Sequence, residues 1–109
     1  MARLSADLWV SAYLARLMAE GIFAHVARKG DATAGAVAVK LATMDGRASV
    51  FIRGWDDDFN RIWTTHVDNA PETDADEAIA KQLSYDRDLW VIEVEDPRGR
   101  HLLDQDGLG

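Results

Sequence analysis

Residues 36–53 constrain the fold more than any other part of the chain, because they are typical of two strands joined by a tight turn. Their sequence is AVAVKLAT-MDGR-ASVFIR, and the pair Asp45-Gly46 favours a two-residue type I′ hairpin. Such a turn places Met44 opposite Arg47, and the alternation of side chains then fixes the register of both strands. The predicted apolar face contains Val39, Leu41, Val50 and Ile52, and the opposite face contains Ala38, Lys40, Phe51 and Arg53.

The segments around this hairpin predict two helices and three more strands. Residues 5–20 and 74–84 have apolar residues at helical spacing, whereas 22–28, 61–67 and 88–95 are typical of strands. A loop is predicted at 54–60, and a short segment at 101–103 is predicted to turn back beside the last strand. The order α-β-β-β-β-α-β indicates one α+β domain over residues 1–109, a mostly antiparallel sheet of about five strands with two helices packed on one of its faces.

The first helix has clear end signals and an unusual distribution of apolar residues. Ser5 is predicted to cap its start, and Gly21 is suited to the left-handed position after its end, with Ile22 placed to contact Leu17. A surface helix usually has one apolar stripe, whereas this helix has two. The first is broad and runs along the helix. A second stripe of mostly small residues lies on the other side and consists of Leu8, Ala12, Ala15 and Ala19.

Composition excludes several classes of function. The chain has no cysteine, so it cannot form disulfides or a cysteine-ligated metal centre. Its 12 basic and 19 acidic residues give a net charge of −7, with Lys and Arg spread singly, which disfavours binding to nucleic acid or to an anionic membrane. We expect a cytoplasmic protein, because no signal peptide or membrane-spanning run is evident. No cofactor-binding motif is present either, since the GDATAG segment at 30–35 lacks the ending of a phosphate-binding loop.

An acidic cluster precedes and enters the last predicted strand. Glu93 and Glu95 lie two residues apart on one strand face, about 6–7 Å from each other, and Asp86 or Asp88 could complete a site for Mg²⁺. The favoured interpretation is that these acids face solvent and are neutralised by basic residues on neighbouring strands. The other face of this strand predicts core residues at Trp90, Ile92 and Val94.

The segment after that strand is basic and surrounds a glycine. Arg98, Arg100 and His101 could bind an anion, because two guanidinium groups and an imidazole flank Gly99. The favoured interpretation is an ordinary turn whose arginines pair with Glu93, Glu95 and Asp96, so that the acids and the turn form one charge-compensated unit.

Two functions of different classes follow from these observations. The leading hypothesis is a non-enzymatic domain that acts by association, as a homodimer or with a protein partner, through the second stripe of the first helix. The alternative is a metal-dependent hydrolase of an anionic small substrate, with the acidic cluster holding the ion and Arg98 or Arg100 offsetting the substrate's charge.

Three segments resemble a known bacterial family. They are LWVSAYLARL, GDATAGAVAVKL and DLWVIEVEDPRGRHLLD, and the chain is similar through them to the domain-of-unknown-function family 1491. The resemblance covers about 4–104, with the weakest similarity at 54–73. The resemblance implies a small bacterial cytoplasmic protein. It implies no catalytic residues, because the family has no assigned activity.

Overall fold

Two helices and one five-stranded sheet form the described part of this computed structural model, which comprises residues 5–55, 57–58 and 61–105. The elements are α1 (Ala6–Ala19), β1 (Phe23–Arg28), β2 (Val37–Ala42), β3 (Arg47–Trp55), β4 (Arg61–Pro71), α2 (Glu72–Tyr85) and β5 (Trp90–Glu95). Their order is the predicted one, so the α+β class is confirmed. Residues 56, 59 and 60 of the predicted loop lie outside the described residues. No helix in the described ranges is long and apolar enough to span a bilayer.

The last strand of the chain lies in the middle of the sheet. The strand order is β1-β5-β2-β3-β4, and only the β2–β5 pair is parallel. All six residues of β2 are buried, and so are the first three of β5, because both strands have neighbours on each side and are covered on both faces. The outer strands β1 and β4 are mostly exposed.

The two helices pack on opposite faces of the sheet, so the prediction that both lie on one face is wrong. Alternate residues of β2 and β5 separate into two cores. The face under α1 contains Val39 and Ile92, whereas the face under α2 contains Ala38 and Val91. The predicted core positions Trp90, Ile92 and Val94 are confirmed and lie under α1.

The ending of α1 is the predicted one, and its beginning differs in detail. Gly21 has a φ of +73°, and the N–H of Ile22 donates to the carbonyl of Leu17 at 2.9 Å, which completes a Schellman motif. At the start, the Ser5 hydroxyl donates to the Asp7 carboxylate at 2.6 Å instead of capping a backbone N–H.

The hairpin exists, but its register is shifted by one residue from the prediction. Val39 pairs with Phe51 instead of Ile52, and the connection is a three-residue loop, 44–46, between Thr43 and Arg47. Met44 and Gly46 both have positive φ, 65° and 84°. The alternation argument failed because both faces of these strands are buried, so neither register exposes an apolar row.

The boundaries near the C-terminal half also differ from the sequence-based ones. β4 continues to Pro71 and α2 begins at Glu72, whereas the sequence predicted a strand that ends at residue 67 and a helix that begins at residue 74. The segment 101–105 forms no strand, because β1 and β2 already occupy both edges of β5. Instead it crosses the α1 face, where Leu102 and Leu103 join the core and the Tyr13 hydroxyl donates to the carbonyl of His101 at 2.8 Å.

Candidate functional site

A buried arginine on β3 is the most unusual polar feature of the described residues. Arg53 is only 8% exposed, and no hydrogen-bond partner is found for its Nη1 atom within the described ranges. Its guanidinium lies 4.8 Å from the ring centroid of Trp9, which contacts Tyr13 at 4.9 Å and Trp63 at 5.6 Å. A buried N–H donor without an acceptor is costly, which makes this side chain the starting point for a candidate site.

A small concave space of about 100 Å³ lies next to this guanidinium, where β2, β3 and β4 meet the loop before β2. We call it the arginine pocket, and it is lined by Ala34, Gly35, Ala36, Arg53, Gly54 and Arg61. Burial, and then the charge of Arg61, lowers the pKa of Arg53 to about 10. The side chain therefore stays protonated at neutral pH.

Gly35 reaches this pocket from a loop whose shape is set by packing against Trp90. A Cβ on Gly35 would lie 2.8 Å from the indole Cδ1, and one on Gly30 would lie 2.6 Å from the same atom. The indole Nε1 donates to the carbonyl of Asp31 at 2.7 Å. The GDATAG segment therefore packs around Trp90. This packing also places Gly35, the last residue of the segment, at the arginine pocket.

Lys40 on β2 is also buried, but its charge is compensated by carboxylates. Its Nζ contacts Asp76 at 2.8 Å and Glu72 at 2.9 Å, both on α2. Burial by itself would lower the pKa of Lys40, but the hydrogen bonds to Asp76 and Glu72 leave that pKa raised. Lys40 therefore joins α2 to the sheet, whereas Arg53 has no comparable carboxylate pair among the described residues.

The acidic residues proposed as metal ligands are not brought together. Asp86 and Asp88 lie in the loop before β5, where the Asp86 carboxylate accepts the N–H of Asp88 at 2.9 Å. Glu93 and Glu95 lie farther along β5, beside Lys40 and Ala42 of β2. Within the described ranges, no group of three or more His, Asp or Glu residues is close enough to hold a metal ion.

One arginine of the basic segment after β5 is neutralised, by Asp96, which is one of the three acids predicted. The backbone N–H and the Nε of Arg100 both donate to the carboxylate of the buried Asp96, at 2.8 Å and 2.9 Å, and neither Glu93 nor Glu95 takes this role. The Arg100 hydrogen bonds hold the pKa of Asp96 below its usual value. Arg98 is exposed on the turn that Gly99 closes. One charge-compensated unit is thus present, with Asp96 as its acid.

His101 belongs to the packing of this segment more than to an open site. Its ring lies 4.6 Å from that of Phe51, and its Nδ1 accepts the N–H of Leu103 at 3.0 Å. Burial lowers the pKa of His101, against the opposing charge of Asp104, so the neutral ring is favoured at pH 7. A concave surface does lie beside it, but its guanidinium, from Arg100, is already paired.

The second stripe of α1 is on the surface. Leu8 is 57% exposed, and Ala12, Ala15 and Ala19 are exposed as well. We call these four residues the outer face of α1. Its flank includes Met18, which is 78% exposed.

Sequence reasoning missed Arg53 because it placed this residue on the strand face opposite the predicted apolar one. The helix α1 covers that face, so a charged residue there becomes buried beside Trp9. A signal was available: Trp9, Arg53, Arg61 and Trp63 are two aromatic residues and two arginines in three separate elements. Only the strand pairing, which sets Arg53 opposite Trp63, brings them together.

A family model and a solved structure name the same family. The family model DUF1491, described as a protein of unknown function, matches residues 4–104. A crystal structure of a DUF1491 family protein from Caulobacter crescentus is similar, with 43% identity, a TM-score of 0.85, and coverage of 94% of this chain and 96% of that one. A solution structure of protein Atu0922 from A. tumefaciens has 28% identity and a TM-score of 0.76, with 86% of each chain covered. No curated protein matches this chain in sequence.

Proposed function

This chain belongs to the DUF1491 family, and we propose that it acts by association, without catalysis, as a homodimer whose interface is the outer face of α1. The observation that carries the proposal is that α1 has two apolar faces and only one of them is buried in the protein's own core. A surface helix with a single role needs only one apolar face. We therefore infer that a partner surface covers the outer face of α1.

The shape of this face favours a second copy of the chain as the partner. Its one large residue, Leu8, lies near the start of α1, and its alanines, Ala12, Ala15 and Ala19, run from the middle of the helix to its end. Two copies related by a two-fold axis, with antiparallel α1 helices, would place each Leu8 over the other copy's alanines. Small side chains let two helix backbones approach to about 8 Å, and an isologous interface requires such self-complementarity.

The metal-dependent hydrolase has less support. It requires Asp86 or Asp88 to join Glu93 and Glu95 at one ion, and the described residues do not gather there. Its proposed substrate-binding arginine, Arg100, is occupied by Asp96. The cytoplasmic location expected from the sequence remains part of our proposal, and fractionation of the source cells would test it.

The association proposal is tested by measuring mass in solution. We expect light scattering at micromolar concentration to give about twice the 12.1 kDa of one chain. Ala15→Glu places a charge in the middle of the outer face, and we expect it to give a monomer with unchanged circular dichroism. Ala80→Glu is the matched control, because Ala80 is an exposed alanine on the other helix, and this variant should remain dimeric.

Two results would contradict this proposal. One is a wild-type chain that stays monomeric throughout the concentration range. The other is a dimer that survives Ala15→Glu but is broken by Val26→Lys, because Val26 is an exposed residue of the open edge strand β1. That pattern would place the interface at the sheet edge instead of on α1.

A further inference from the structure

We propose that residues 101–105, which we call the C-terminal strap, detach from the α1 face in mildly acidic solution when His101 becomes protonated. Detachment uncovers the apolar surface that is now occupied by Leu102 and Leu103, whose exposed fractions are 8% and 6%. The strap is therefore a cover whose position depends on pH. This inference goes beyond association and does not depend on the outer face of α1.

The first argument is the way in which the strap is attached. The strap contains no helix or strand, and its one backbone–backbone hydrogen bond within the described ranges is internal, from Gln105 to Leu102. Side chains of α1 hold it instead. The Tyr13 hydroxyl donates to the carbonyl of His101 at 2.8 Å. Arg16 donates to the side chain of Gln105 at 2.9 Å. Because no backbone ladder joins the strap to the sheet, it can open while the sheet stays intact.

The second argument is a hydrogen bond inside the strap that requires a neutral imidazole. The Nδ1 atom of His101 accepts the N–H of Leu103 at 3.0 Å. In an imidazolium both ring nitrogens are donors, so protonation removes this bond and leaves a buried N–H without that acceptor. The ring also lies 4.6 Å from the ring of Phe51, which limits the water available to a charged imidazole. His101 therefore takes up a proton more readily in a detached strap.

The third argument is the backbone conformation of Leu102. Its φ is +61°, in the left-handed region that is unfavourable for an L-residue. The burial of Leu102 and Leu103 and the neighbouring hydrogen bonds hold this conformation in place. Loss of one of these hydrogen bonds therefore shifts the balance toward a detached strap, in which Leu102 can adopt an ordinary backbone conformation.

The strap and the elements packed against it carry charges of both signs. The charged side chains are Asp104 in the strap, Asp96 and Arg100 in the turn before it, Arg16 on α1 and Arg53 on β3. Arg100 is paired with Asp96, and Arg53 is stacked on Trp9. Burial lowers the pKa of His101 below its ordinary 6.5, and the charge of Asp104 opposes this only in part.

These effects give the pH dependence a definite sign. The closed strap holds His101 with a lowered pKa, whereas the detached strap restores the ordinary value of about 6.5. The closed strap is therefore fully favoured above about pH 6.5 and is weakened below it. The equilibrium constant for detachment should rise about tenfold for each pH unit between the two pKa values and become constant below the lower one.

The test is amide hydrogen exchange followed by NMR from about pH 7.5 to about pH 5, corrected for the intrinsic pH dependence of exchange. We expect Leu103 to exchange faster than Ile92 of β5 at every pH, and its protection to fall about tenfold per pH unit below about pH 6.5. Equal protection of Leu103 and Ile92 would overturn the proposal, because the strap would then open only on global unfolding. A Leu103 amide without protection at neutral pH would overturn it as well, because the strap would already be open.

Variants assign the pH dependence to His101. His101→Gln keeps an acceptor for the N–H of Leu103 at every pH, so the protection of that amide should no longer depend on pH in this range. His66→Gln is the matched control, because His66 is an exposed histidine on β4, and it should leave the dependence unchanged. Tyr13→Phe removes a donor to the strap and should lower the protection by the same factor at every pH.

Two further results would overturn the proposal. One is a pH dependence of Leu103 protection that is the same in the wild type and in His101→Gln. The other needs no variant: the ring protons of His101 in the wild type should titrate with a pKa below 6.5, and a pKa at or above that value would mean that the closed strap does not disfavour the proton.

Discussion

Trp90 is the residue on which the largest number of local features depend. It is 4% exposed, its indole Nε1 donates to the carbonyl of Asp31, and a Cβ added at Gly30 or Gly35 would clash with its Cδ1 and with the carbonyl of Asp88. Its own N–H donates to the carbonyl of Ala36 at 2.8 Å, which ties the start of β5 to the start of β2. One side chain therefore holds both the loop that reaches the arginine pocket and the centre of the sheet.

We expect Trp90→Ala to lower the free energy of unfolding by about 3–5 kcal/mol, because it leaves a cavity under α1 and removes the anchor of the glycine loop. Arg100→Ala should cost less, since the Asp96 carboxylate keeps the backbone N–H of residue 100 as a donor. Urea denaturation followed by fluorescence and circular dichroism measures both. Equal losses for the two variants would mean that the Asp96–Arg100 pair carries as much stability as the core tryptophan.

At the scale of elements, the β2–β3 hairpin illustrates a choice between two plausible registers. The observed one sets Val39 and Leu41 beside Phe51 and Ser49 on the α1 face, and Ala38 beside Ile52 on the α2 face. On the α2 face the small Ala38 thus lies next to the larger Ile52, and Ala42 lies next to Ala48. This register requires a loop in which Met44 has a positive φ, a conformation that is unfavourable for L-residues.

The loop geometry makes a specific prediction. Met44→Gly should raise the free energy of unfolding by about 0.5–1 kcal/mol, because φ is +65° at Met44 and its side chain is 60% exposed. Thermal unfolding compared with wild type measures the change. In the two-residue type I′ turn expected from the sequence, only Asp45 and Gly46 have positive φ, so there the same substitution would destabilise through chain entropy. A loss of stability would therefore support the predicted turn over the observed loop.

At the scale of the whole molecule, the chain forms three layers, with the sheet between α1 and α2. The parallel pair β2–β5 lies at the centre and is buried on both faces, as parallel strands usually are. The edge strands β1 and β4 have one neighbour each and exposed side chains. Stability should therefore be distributed unevenly across the sheet.

Amide hydrogen exchange followed by NMR tests this distribution. We expect the amides of β2 and β5 to exchange most slowly, through global unfolding, and those of β1 and β4 to exchange faster through local opening. β3 serves as an internal control with intermediate protection, since it has two neighbours but lies nearer the edge. Strong protection of the outer amides of β1 would contradict this prediction and indicate a partner strand at that edge.

The sequence by itself determined the local features of this protein. Element order, the Schellman ending at Gly21 and the core face of Trp90, Ile92 and Val94 follow from spacing and turn chemistry, which depend on neighbours in the chain. Spacing alone did not determine that the outer face of α1 is exposed, because an apolar face of this kind could equally have been buried in the monomer.

The tertiary structure alone decided which face each element covers, and with it the candidate site. Sequence alternation cannot place α1 and α2 on opposite faces, and once both faces are covered it cannot choose the register of β2 and β3. The packing of α1 on the sheet also buried Arg53, which the sequence analysis placed opposite the predicted apolar face, and brought it beside Trp9. It also placed β5 between β1 and β2, which left no edge of β5 for the segment 101–105 to pair with. These outcomes depend on contacts between residues far apart in the chain, which local patterns do not specify.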